Sequence, residues 1–163
     1  MIFFIIPIFI FILDQWSKYW IKTNLEQYEP FNIIGNYLRF TYCENSGMAF
    51  GIQLGQYIHI LTFFSIIFTF YILYFLYQNL NNDFLIKLSI SFILGGALGN
   101  IYDRILMFLD PFNVGGVVDF IDVGISLSAR WYIFNIADSA ITIGIIIYIY
   151  YSLIVEKNES ELV

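Results

Sequence analysis

At 163 residues the chain has the length of one domain, and with 60% hydrophobic, 21% aromatic and only 12% charged residues it has too little polar surface to cover a soluble globule. Composition therefore places it among polytopic membrane proteins. A net charge of -6 provides no basic patch to neutralise phosphates, which excludes a nucleic-acid partner, and with Cys43 and His59 the only residues of their types there is no internal disulfide and no usual ligand set for a metal.

Ile2 to Leu13 is almost unbroken apolar sequence, continuing past Asp14 and Gln15 through Trp16, Tyr19 and Trp20. It has neither the basic start nor the small-residue cleavage site of a secretory signal, so it is expected to be retained as a first membrane helix over about 2–21. Residues 22–56 alternate short apolar runs with Glu26, Glu29, Pro30, Asn32, Gly35 and Arg39, the pattern of an extramembrane segment with strand character. Residues 57–77 carry no acidic or basic side chain and are long enough, at roughly 20 residues, to cross a bilayer. After the polar turn Gln78 to Asp83, a third helix is expected over 84–109, and a fourth over 134–155. The connection at 110–133 includes Val117-Val118-Asp119-Phe120, a β-branched and aromatic run suited to a short strand or extended loop. The fold class is thus all-α, four transmembrane helices with a small β-rich extramembrane part, in a single domain over 1–163.

If the helices alternate in direction, 22–56 and 110–133 lie on the same side of the membrane, and every intramembrane polar group lies near that side. Asp14, Asn100 and Asp138 sit roughly 6 to 12 Å below one interface at the helical rise of 1.5 Å per residue. Carboxylates at such depth are costly to keep ionised and point to function rather than packing. Asp119 and Asp138 share one short connection, and Asp138 is flanked by Ile136, Ala137, Ala140 and Ile141. Two carboxylates close together in a low-dielectric site cannot both ionise comfortably, so one keeps a proton near neutral pH. The pair then supplies a general base for water and a general acid for a leaving amine, without metal or covalent nucleophile. No G-x-S-x-G or H-E-x-x-H stretch offers another hydrolytic design. Helical spacing adds Lys18 four residues from Asp14, Asp103 and Arg104 beside Asn100, and Asn135 beside Asp138. Asn100 and Asn135 suit hydrogen bonds to carboxylates or substrate carbonyls, and Arg104 suits Asp103 or an anionic headgroup. The glycines at 95, 96 and 99 read as close helix packing.

Five blocks in order resemble those of bacterial lipoprotein signal peptidase (signal peptidase II). They are Asp14-Gln15-Trp16-Ser17-Lys18, Glu44 to Phe50 (ENSGMAF), Gly95 to Arg104 (GGALGNIYDR), Val117 to Phe120 (VVDF) and Phe134 to Ser139 (FNIADS). The resemblance implies an inner-membrane aspartyl endopeptidase that removes the signal peptide from diacylglyceryl-modified prolipoproteins, cutting just before the lipidated cysteine. It implies Asp119 and Asp138 as the catalytic dyad, with Asp14, Lys18, Asn45, Gly47, Asn100, Asp103, Arg104, Asn135 and Ala137 supporting the site or contacting substrate. It further implies no cofactor and no metal, a monomer among membrane lipids, inhibition by globomycin-type peptides, a β-rich cradle at 22–56 and a mobile loop over the site within 110–133.

The implied orientation puts the active site at the outer leaflet. Yet Lys18, Lys22, Arg39, Arg104 and Arg130 all lie toward that side and only Lys87 and Lys157 toward the other, a count that by the positive-inside rule inverts the topology. A proton-coupled carrier would need polar groups along a whole crossing, and the half of the bundle away from Asp138 is nearly devoid of them. A scaffold would not need carboxylates at depth.

Overall fold

A computed structural model describes residues 2–49, 52–53, 58–110 and 115–155. Four helices are long and apolar enough to cross a membrane: α1 (Ile2–Asn24), α2 (Ile58–Gln78), α3 (Phe84–Leu109) and α4 (Ile136–Tyr150), the last continued by a π-helical turn, Tyr151–Val155. α3 is the central one. Half of its most apolar window is buried, against about a fifth in each of the others, whose Phe, Ile and Tyr side chains face outward as they would toward lipid.

Small residues let the helices approach α3. A side chain at Gly95 would meet Ile10 of α1 at 2.8 Å, and one at Gly144 of α4 would meet the Ser89 carbonyl of α3 at 2.7 Å. At Gly96 it would strike the Ala137 carbonyl oxygen of α4. The glycines of α3 are packing residues, as expected. Away from the polar end, Ile72 and Leu76 of α2 pack on Ile90 and Leu94 of α3.

The extramembrane part is a three-stranded antiparallel sheet in the order β1 (Pro30–Ile34), β2 (Leu38–Asn45), β5 (Val117–Val123), with a separate two-stranded pair, β3 (Met48–Ala49) and β4 (Ile52–Gln53). The β-rich region is therefore not confined to 22–56. Its most buried strand comes from the connection after α3, and Val118 and Phe120 there join Tyr42 of β2 over Ile21 at the end of α1. This seats the sheet on the bundle.

The end of α1 and the start of α4 shift from those expected, each for a local reason. α1 runs to Asn24, where Thr23 Oγ1 donates to the Tyr19 and Trp20 carbonyls and Asn24 Nδ2 to the Trp20 carbonyl, at 3.0, 3.1 and 2.8 Å, so that the polar side chains of the last turn fold back onto the helix. α4 starts at Ile136 because Phe134 is held in a β-bridge to Ile121 and Asn135 is the N-cap. The longer α1 places Asp14 ten residues before its helix end, about 15 Å at the helical rise.

Candidate active site

Asn135 and Asp138 form a reciprocal capping box at the start of α4. The Asp138 N–H donates to Asn135 Oδ1 at 2.9 Å, and the Asn135 N–H donates to Asp138 Oδ2 at 3.2 Å. Because its oxygen is committed to the cap, the Asn135 amide nitrogen turns outward, donating to Asp119 Oδ1 at 2.7 Å, to Asn100 Oδ1 at 3.1 Å and to the Val118 carbonyl at 3.3 Å. Asn100 then donates to Asp138 Oδ1 at 2.7 Å. Two buried asparagines thus link the carboxylates of β5 and α4 through neutral amides.

The second Asp119 oxygen accepts from Asn45 Nδ2 at 3.1 Å. Asn45 is oriented by its own oxygen, which accepts the Gly47 N–H at 3.1 Å. Gly47 has φ +106°, a conformation that favours glycine, and any side chain there would meet Ile58 at 2.6 Å. Asp119 and Asp138 border one cavity of about 60 Å³ with Asn45, Gly47, Leu61, Asn100, Arg104 and Val117. Burial pushes the Asp119 carboxyl up, and the neighbouring Asp138 adds to it, raising the group to about 7 against the hydrogen bonds from Asn45 and Asn135. Its proton is therefore half-retained near neutrality.

A second polar cluster lies behind this one. Lys18 Nζ reaches Asp14 Oδ2 at 2.7 Å and Asp103 Oδ2 at 2.6 Å, all three buried, with Asn100 Oδ1 at 3.5 Å. Breaking such a pair strands a buried charge, at a cost of about 3–5 kcal/mol. The other Asp14 oxygen accepts the Ala137 N–H at 2.9 Å, so α1 caps the first turn of α4 from outside. Ala137 is fully buried, and Gly99 leaves room for Asp14, since a side chain there would lie 2.5 Å from Asp14 Oδ2 and 3.1 Å from Ala137 Cβ.

Every predicted site residue thus belongs to one connected region, with one partner reassigned. Asp103 is held by Lys18 and by Gln15 Nε2 at 3.0 Å, whereas Arg104 makes no ion pair among the described residues and its Nε is buried without a partner. Adjacent helix residues do not share a face. Asp103 turns toward α1 and Arg104 toward the cavity. Gln15, which also reaches Asp14 Oδ2 and the Gly99 carbonyl, was visible in sequence as an amide beside Asp14; Leu61 gave no signal within an apolar helix. Residues 111–114 of the expected covering loop lie outside the described residues. No residue of 124–133 is among those that line the cavity, which Gly47 and Leu61 border from the other elements.

Fold and site together define a multi-pass membrane protein with paired carboxylates at one end of its bundle. The family model described as signal peptidase (SPase) II matches residues 6–154. Lipoprotein signal peptidases of Staphylococcus aureus strains JH9 and Newman are 38% identical over 160 residues, covering 96% of this chain and 91% of theirs. Two bacterial membrane enzymes solved by the in meso method superpose with TM-scores of 0.73 and 0.71, at 36% and 37% identity, covering 95% and 92% of this chain and 88% and 91% of theirs. The chain belongs to the signal peptidase II family and is a membrane peptidase.

Proposed function

We propose that the protein is an aspartyl endopeptidase that cleaves lipoprotein precursors just before a diacylglyceryl-modified cysteine, with Asp119 and Asp138 as its catalytic pair. The observation that carries this reading is the pair itself, two carboxylates on one cavity, bridged by neutral amides and paired to no cation among the described residues. The pair holds one proton between its carboxyls, and we assign that proton to Asp119, whose carboxyl is the raised one. Asp138 takes a proton from water as the water oxygen attacks the scissile carbonyl carbon, and Asp119 gives its proton to the carbonyl oxygen, forming a tetrahedral diol. Asp138 next protonates the amide nitrogen while Asp119 recovers a hydroxyl proton. The C–N bond breaks, and the products are a carboxylic acid and the amine of the lipidated cysteine.

Asn45, Asn100 and Asn135 hold the carboxylates in place. The Arg104 guanidinium, whose Nε has no hydrogen-bond partner among the described residues, faces the cavity, where it can donate to a substrate carbonyl or ester oxygen. The acyl chains of the substrate stay in the bilayer beside the bundle, so lipidation contributes binding energy. Globomycin-type peptides would occupy the same cavity in a protein acting as a monomer.

We place the site at the outer leaflet of the bacterial inner membrane. The cation count that opposes this orientation loses weight in the structure. Lys18 is sequestered between Asp14 and Asp103, Arg39 and Arg130 are bound to Asp122, and Lys22 pairs with Glu44. These cations are held by carboxylates of the bundle and the sheet, so their number on this side has a structural cause.

The test is a gel-shift assay on purified diacylglyceryl prolipoprotein beside its unlipidated precursor, with the Asp138→Asn variant as control. Cleavage of the lipidated form alone, lost in the variant, is expected. Robust turnover by well-folded Asp138→Asn protein would overturn the dyad, and equal cleavage of both precursors would overturn the substrate class.

A further inference from the structure

Glu44 lies immediately before Asn45 on β2, opposite Val118 of β5, and belongs to neither polar cluster of the bundle. Its carboxylate joins three separate parts of the chain. Oε1 accepts from Lys22 Nζ in the last turn of α1 at 2.8 Å and from the Tyr42 hydroxyl at 2.7 Å, and Oε2 accepts the Gly115 N–H at 3.1 Å. Gly115 is where the chain arriving from α3 meets the sheet. A side chain on Gly115 would strike the Glu44 carboxylate, and one on Gly116 would lie 2.5 Å from the Asn45 carbonyl carbon and 2.7 Å from its nitrogen. Backbone at 115–116 is thus pressed directly onto Asn45, and Asn45 and Val117 both line the cavity.

From this geometry, and resting on the dyad reading above, we infer that Glu44 is a positioning residue that acts through Asn45. By tying Gly115 to the end of α1 it seats the 115–117 backbone against Asn45 and sets the amide that holds Asp119 Oδ2. Burial pushes the Glu44 carboxyl up, but the hydrogen bonds from Lys22 and Tyr42, the Lys22 charge and the Gly115 N–H outweigh it, leaving the group below its ordinary value and charged at neutral pH. Charge-assisted bonds of this kind hold geometry better than neutral ones. A small displacement of a catalytic group costs rate, up to roughly a hundredfold per Å, without removing any group from the site.

The experiment is a double-mutant cycle on kcat and KM for lipidated precursor, with Glu44→Ala and Asn45→Ala singly and together. Glu44→Ala should lower kcat roughly tenfold with KM within about twofold. Glu44→Gln, which keeps an acceptor for Tyr42 and Gly115, should recover most of the loss. In the Asn45→Ala background, Glu44→Ala should cost nothing further. Should Glu44→Ala fail to fold, Lys22→Met removes one exposed arm of the latch and should give a smaller loss of kcat, again absent in the Asn45→Ala background.

An unchanged kcat, or effects that multiply independently of Asn45, overturns the inference while leaving the dyad intact. Active wild type with inactive Asp119→Asn, run alongside, establishes the reading on which it rests; inactive wild type overturns both.

Discussion

Asp119 and Asp122 stand three residues apart on one strand, both almost fully buried, and the molecule treats them in opposite ways. At one end of β5, Asp119 is held by the neutral amides of Asn45 and Asn135 and faces a second carboxylate, which leaves its carboxyl raised to about 7. Near the other end, Asp122 accepts from Arg39 Nε and NH2 at 3.0 and 2.8 Å, from Thr41 Oγ1 at 2.9 Å and from Arg130 Nε. Burial alone would push Asp122 up too, but the hydrogen bonds of Arg130, Arg39 and Thr41 outweigh it and hold the group below its ordinary value. Burial does not decide whether a carboxylate does chemistry. Partners do: amides fix Asp119 without neutralising it, while guanidinium groups fix Asp122 and silence it.

The largest effect that tests this contrast is on turnover. Asp119→Asn should lower cleavage by about 10²–10⁴-fold, the usual contribution of a general acid or base, without lowering the melting temperature in detergent. Asp122→Asn should retain most of its activity below its melting temperature. Comparable losses from the two substitutions would mean that the strand, rather than the dyad, limits the reaction.

Stability should reverse the ranking. Asp122→Ala leaves the half-buried Arg39 and Arg130 without their common partner, and because water still reaches both guanidinium groups the loss should fall below the about 3–5 kcal/mol of a fully buried pair. Thermal unfolding of purified protein should show this as the largest drop among the sheet variants. A melting temperature equal to wild type would show that the arginines find other partners.

How much of this contrast the sequence shows depends on where the partners come from. Asp138 and Asn135 were legible because their partnership is local, three residues apart at a helix start, and Asp14 with Lys18 because four residues make one turn. All four spans were legible from apolar length. Asp122 was not singled out, since its arginines arrive from positions 39 and 130 and only the pairing of β2 with β5 brings Arg39 opposite it. The same blindness hid the carboxylate partners of Lys22, Arg39 and Arg130. β5 was readable as an extended run but not as the third and most buried strand of a sheet begun before α2, because strand order is set by long-range packing over Ile21.

Acidity separates the two aspartates by sign. Asp119 has a raised folded value, so the stability it contributes is fully present below the unfolded value of about 3.9 and is lost as pH rises through about 7. Asp122 has a lowered one, so its contribution is present above that unfolded value and is lost only as pH falls through its still lower folded value. Between pH 5 and 8 only the Asp119 contribution changes. Melting temperatures measured across that range should fall less steeply in Asp119→Asn than in wild type, while Asp122→Asn should keep the wild-type slope at a lower level. Parallel slopes for Asp119→Asn and wild type would place the neutral-range proton elsewhere. Turnover should decline as Asp119 loses its proton above about pH 7.

The smallest effect separates the charge of the silent end from its geometry. Besides its bond to the Asp122 carboxylate, Arg130 donates to the Asp122 carbonyl at 2.9 Å and the Asn36 carbonyl at 2.7 Å, so one planar fork ties together β5, the β1–β2 turn and the chain returning to α4. Lysine keeps the charge but offers a single point of attachment. Arg130→Lys should therefore preserve the ion pair, lose the carbonyl bonds and destabilise by roughly 1–2 kcal/mol, with cleavage nearly unchanged because no residue of 124–133 borders the dyad cavity. A loss as large as that of Asp122→Ala would show that the fork, not the charge, holds this end of the sheet. A loss of turnover with unchanged melting temperature would mean that the returning chain reaches the substrate and that the two ends of β5 are not separate.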